Sequence, residues 1–184
     1  SDASEEALVR GLDEMWQRRI VREAPERGAA TYDFTHEKLR DVAYSSQSAA
    51  RRRWLHQRIA QAMEAIYAGN LDHVSGQVAA HCEQAGLLSK AIDYYRKAAQ
   101  AARQVYANQD AIILFRHALS LIDPQSLAPL ERKRGAELAE ELGDVCGLTG
   151  QYDAARSAYS AAQSRVPEQD RIWRARLLRK IAST

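Results

Sequence analysis

Residues 139–162 read AEELGDVCGLTGQYDAARSAYSAA. Leu142, Gly143 and Cys146 lie at helical spacing, Gly150 interrupts, and helical spacing resumes with Ala155, Tyr159 and Ala162. A small residue, an aromatic and a small residue at i, i+4 and i+7 let one helix sit close to its neighbour while the ring fills the remaining gap. The same pattern recurs upstream. Residues 76–98 run GQVAAHCEQAGLLSKAIDYYRKA, with Ala91, Tyr95 and Ala98 in register. Residues 106–118 run YANQDAIILFRHA, with Ala111, Phe115 and Ala118 in register. The second half of the chain is therefore expected to be a stack of helices in which Tyr95, Phe115 and Tyr159 plug the core.

In order and spacing, Leu142, Gly143, Cys146, Gly150, Tyr152, Ala155, Tyr159, Ala162 and Pro167 resemble the tetratricopeptide repeat (TPR). Ala79, Cys82 and Gly86 hold matching places in the first copy. The middle copy is degenerate, because a helix over 87–104 must be the second helix of one repeat and the first of the next. Such repeats bury their cores by stacking and present a concave face built from their first helices.

Composition supports a helical, globular chain. Of 184 residues, 46% are apolar and 27% charged, and Ala, Leu, Gln, Glu and Arg predominate over β-branched residues. Prolines stand only at 25, 124, 129 and 167, leaving 26–123 free of helix breakers. Charge is near balance, with 26 Lys+Arg against 24 Asp+Glu, so non-specific adhesion to nucleic acid or anionic lipid is not expected. No apolar run is long enough to cross a membrane. The two cysteines, Cys82 and Cys146, are too few for a secreted disulfide scaffold, and a cytoplasmic location is expected.

The N-terminal third reads differently. Ala7, Leu8, Leu12, Met15 and Trp16 fall at helical spacing; then Ile20–Arg22 and Thr31–Phe34 form short β-favouring runs around the turn signal Pro25–Gly28. A two-stranded wing follows from this pattern. Thr35 is expected to cap a helix over 36–45 with Leu39, Val42 and Ala43 on one face, and Ser48 to cap another carrying either Trp54 or Leu55, with Ile59, Ala62, Met63 and Ile66, as its apolar stripe. Helix, wing, helix, helix is the order of the back end of a winged-helix domain, with residue 1 a boundary inside that domain. The expected architecture is thus mostly α: a partial winged helix over 1–69, then a TPR-like α-α superhelix over 70–184.

Residues 32–44, YDFTHEKLRDVAY, resemble the segment that ends the nucleotide-binding module of STAND proteins, the signal-transduction ATPases with numerous domains. His36 matches the histidine of that family's Met-His-Asp motif, while Thr35 and Glu37 depart from it. The stretches ARRRWLHQRIAQAME, AAHCEQAG and KAIDYYRKAAQAA are similar to large bacterial regulators of this class. The resemblance implies an ATP- or ADP-binding parent protein in which His36 senses the ADP phosphate. It also implies repeats that receive a protein or small-molecule inducer, and a transcriptional or cyclase output elsewhere. An imidazole at a helix start suits an anionic phosphate; the other reading of His36 is a capping or packing residue. No G-x-x-x-x-G-K-[ST] loop occurs in the chain, so no cofactor is expected within it.

Arg51, Arg52 and Arg53 fall in a first helical turn, where they oppose the macrodipole; they read as a solvated face, or as a contact for an acidic partner or a DNA backbone. His73, His81, Cys82 and Cys146 lack metal-ligand spacing. Glu140 and Glu141 are adjacent and cannot face each other on a helix. The sequence therefore points to a non-enzymatic sensor and protein-interaction segment of a STAND-type regulator. That regulator's ATPase module would be a partner, any DNA would be contacted by its other domains, and no membrane is involved. A generic TPR adaptor and a DNA-binding winged-helix protein are the alternatives.

Overall fold

The computed structural model describes residues 2–24 and 31–184, with side chains from Glu6 to Glu23 and from Tyr32 onward. Among these residues the chain is mostly helical, with one small sheet. It divides into two compact units, Ser1–Arg52 and Arg53–Thr184. The division falls inside a helix that runs unbroken from Ala49 to Ile66.

In the first unit, α1 (Asp2–Gln17) leads into β1 (Val21–Ala24), which pairs antiparallel with β2 (Thr31–Phe34) in the register Val21↔Phe34. The two-stranded sheet expected from the β-favouring runs is present; the turn signal Pro25–Gly28 lies outside the described residues. α2 (Glu37–Ser45) follows. Its N-cap is His36 rather than Thr35. The Thr35 hydroxyl turns instead to the carbonyls of Arg19, at 2.6 Å, and Ile20, at 3.1 Å, tying β2 back to the entry of β1. Val21 is buried, but Leu8, Trp16, Leu39 and Val42 are exposed, so the apolar faces of α1 and α2 lack cover among the described residues.

α3 (Ala49–Ile66) opens with Ser48 Oγ accepting the Arg51 N–H at 3.2 Å, the cap expected from the sequence. The buried side of α3 differs from the anticipated stripe. His56, Ala60, Met63 and Glu64 turn inward at helical spacing, while Trp54, Leu55, Ile59 and Ile66 remain exposed. Two of the inward residues are polar, so hydropathy alone selects the wrong face. His56 Nδ1 lies 2.8 Å from His81 Nδ1, and Glu64 accepts hydrogen bonds from Lys90 and the Tyr94 hydroxyl.

The second unit continues through α4 (Ser75–Gln84), α5 (Leu88–Gln104), α6 (Asn108–Ser120), α7 (Pro129–Leu148), α8 (Tyr152–Arg165) and α9 (Arg171–Ala182), each packed on the next. α5 packs against both α4 and α6, the double duty expected for a helix shared by two repeats. Ala91, Ala111 and Ala155 are fully buried, and Tyr95, Phe115, Tyr159, Ala98, Ala118 and Ala162 lie in the same core. Leu142, Gly143 and Cys146 are buried on α7. Gly150, grouped with the core by sequence, is exposed and acts through its backbone.

Three of the interhelical turns share one geometry. Gly86, Tyr106 and Gly150 have φ of 79°, 62° and 73°. The following amide, of Leu87, Ala107 or Gln151, bonds back five residues to the carbonyl of Cys82, Ala102 or Cys146 at 2.8–2.9 Å. This is a Schellman C-cap, which needs a left-handed residue at its centre. The periodicity is therefore built into the backbone as well as the side chains, and the middle copy keeps the turn with tyrosine in place of glycine.

Candidate functional site

Each residue singled out in the sequence has a definite place. His36 is exposed at the start of α2, its carbonyl accepting the amides of Leu39 and Arg40. Arg51 and Arg53 are exposed in the first turn of α3, and the Arg52 guanidinium lies 5.2 Å above the Tyr44 ring. Cys82 and Cys146 are free and fully buried, and burial pushes both thiols up, away from the thiolate form. Among the described residues no three His, Cys, Asp or Glu side chains gather as a metal site, and no helix is long and apolar enough to cross a membrane.

The polar chemistry of the second unit concentrates on α5, α7 and α9. Adjacent helical residues point apart, and Glu140 and Glu141 show it. Glu141 turns to α5, where it pairs with Arg96 and accepts from Gln100 at 3.0 Å. Arg96 also reaches Glu137 at 2.7 Å, and Arg134 reaches Asp93 at 3.0 Å. These bonds join α5 directly to α7, as neighbouring first helices of successive repeats would be joined.

Glu140 turns to α9. It is almost fully buried and accepts from Trp173 Nε1 at 2.6 Å and Arg176 at 2.8 Å, with Lys180 Nζ at 2.8 Å. Burial raises the carboxyl pKa, but the hydrogen bonds from Lys180, Arg176 and Trp173 outweigh it, so Glu140 stays ionised below the usual range. Lys180 also holds Asp144 at 2.6 Å, and Asp144 accepts from the Tyr159 hydroxyl at 2.9 Å. The sequence signal for this hub was the spacing of Trp173, Arg176 and Lys180 along one face of α9; it became legible only once α9 was known to lie on α7.

Beside this hub, the first turns of α7 and α9 flank a groove of about 730 Å3. Leu127, Pro129 and Pro167 line one end, Arg132 and Lys133 stand on α7, and Ile172 and Trp173 on α9. Sequence reasoning did not single out this groove, because its residues come from two loops and two helices some forty positions apart.

No protein-family model matches the chain, and no curated protein matches it. Among solved structures it is similar to one titled "Crystal structure of MamA", at TM-score 0.37 and 16% sequence identity, over 74% of this chain and 91% of that one. The helical-repeat fold stands on the chain's own turns and ring plugs.

Proposed function

We propose that this chain is a non-catalytic sensor and protein-interaction segment of a STAND-type signalling ATPase, in which the first unit is the end of a winged-helix domain and the second a TPR-like receiver of an inducer. The observation that supports this reading is the position of His36. One residue, Thr35, separates it from β2; it occupies the N-cap of α2 and is exposed. A helix N-terminus offers unpaired amides and a positive dipole end, so a phosphate placed there would gain from both the helix and the imidazole. ATP or ADP would be held by the parent protein's phosphate loop, with His36 reporting its presence to the repeats.

The test is ADP release from the full-length parent. His36→Ala should weaken ADP retention by roughly 10- to 150-fold, the equivalent of losing one hydrogen bond to a charged group, and raise basal output. Unchanged ADP release would make His36 a structural residue and remove the switch assignment. A helical adaptor with no ATPase is the second reading, favoured by the open groove between α7 and α9.

A further inference from the structure

The groove between α7 and α9 combines exposed apolar side chains with cations that no carboxylate meets among the described residues. Leu127 is 84% exposed and Ile172 is 85% exposed, and both line it. Two cations on α7 stand beside them without a carboxylate partner among the described residues. The Arg132 guanidinium donates to the Ser164 carbonyl at 3.4 Å, and neither Arg132 nor Lys133 forms an ion pair among the described residues. The carboxylates of the same groove are already engaged: Glu137 holds Arg96, and Asp170 caps α9 through the Trp173 amide at 3.1 Å.

We infer that this groove binds an acidic peptide segment bearing an apolar anchor. This rests on the proposed reading of the repeats as a protein-interaction surface and specifies the partner's chemistry. The anchor side chain would cover Leu127, Ile172 and the exposed part of Trp173, removing apolar area from water. Flanking carboxylates would meet Arg132 and Lys133, where charge complementarity sets register and speeds encounter. A nucleic acid fits less well. It needs a run of phosphate contacts, whereas the groove offers two cations without a carboxylate partner among the described residues.

Trp173 reports on the groove once Trp16 and Trp54, the other two tryptophans, are replaced by Phe. The probe is the capped peptide Glu-Asp-Leu-Phe-Asp-Glu, titrated against the 184-residue chain. A saturable change in Trp173 fluorescence is expected, with Kd on the order of 100 μM, as befits a short flexible ligand. It should weaken with added salt. Arg132→Glu with Lys133→Glu should weaken binding at least tenfold, and Ile172→Ser severalfold. Lys133→Glu alone, at an exposed position, serves if the double variant does not fold. A peptide with Lys in place of each acidic residue should give no response.

Equal binding by the charge-reversed variant, or no response to the acidic peptide, would overturn the proposal. So would stronger binding of a single-stranded oligothymidylate, which would make the groove a nucleic-acid site. A monomer–dimer shift on Ile172→Ser, seen by sedimentation, would make a second copy of the chain the occupant. The ADP assay on His36→Ala is independent of these outcomes, so a failed groove and a failed ATPase assignment can be told apart.

Discussion

Tyr106 holds a left-handed backbone with its side chain 88% exposed. A side chain in that conformation costs about 1–2 kcal/mol relative to the right-handed form, and nothing the ring touches repays it. The equivalent residues of the other two turns are glycines, which adopt the conformation freely. Tyr106→Gly should therefore stabilise the chain by about 1 kcal/mol, or roughly 2–4 °C in Tm, after allowing for the added entropy of the unfolded state. Calorimetry checks this; an unchanged or lowered Tm would mean that the tyrosine makes a compensating contact. Gly143 presents the converse case, since a methyl group there would overlap the Tyr159 ring.

Within the repeats, α9 is tied to α7 chiefly through Glu140. Glu140 satisfies Trp173, Arg176 and Lys180 together, Lys180 also pairs with Asp144, and Leu177 is fully buried among the apolar contacts of Trp173 and Ile181. Removing one partner from a buried, hydrogen-bonded ion cluster costs roughly 3 kcal/mol. In Glu140→Ala, amide exchange across α9 should accelerate on the order of 100-fold, while α4–α6 exchange as before, because repeat stability is carried by neighbouring interfaces. Hydrogen exchange read by mass spectrometry resolves the two segments. Uniform acceleration through α4–α9 would show a single cooperative unit instead.

At the scale of the whole molecule, buried and half-buried carboxylates and phenols define a pH window of stability. Burial raises the carboxyl pKa of Glu140, Glu83 and Glu64, but hydrogen bonds outweigh it: from Lys180, Arg176 and Trp173 to Glu140, from His117 and Tyr95 to Glu83, and from Lys90 and Tyr94 to Glu64. Folded values below the unfolded one mean stability that is present above about pH 4.3 and lost as pH falls through the folded values. The phenols work in the opposite sense. Burial and carboxylate partners push Tyr94 up to about 12, and Tyr95 and Tyr159 also upward. Their contribution is complete below the unfolded value near 10 and is lost as pH rises through the folded values. Burial and the neighbouring His56 also hold the His81 pKa down, and burial raises the Cys82 and Cys146 thiols, so Tm should hold level from about pH 6.5 to 8.5 and fall on both sides. Tyr159→Phe should flatten part of the alkaline fall; an unaltered profile would remove Tyr159 from the account.

Periodicity and turn residues were enough to specify the helices, the ring plugs Tyr95, Phe115 and Tyr159, the shared helix α5 and the hairpin, because each depends on neighbours within about twenty positions. The Ser48 cap was legible for the same reason. The inward face of α3 was not, since His56 and Glu64 are drawn in by His81, Lys90 and Tyr94 from other helices rather than by hydropathy. Thr35 is not the cap because α2 begins one residue later, at Glu37, while the Thr35 hydroxyl donates to carbonyls that the hairpin brings beside it. The Glu140 hub and the groove at Leu127, Arg132 and Ile172 were decided only when α7 and α9 packed together. Local propensity carries no information about which distant charges will find one another; the stacking of the repeats does.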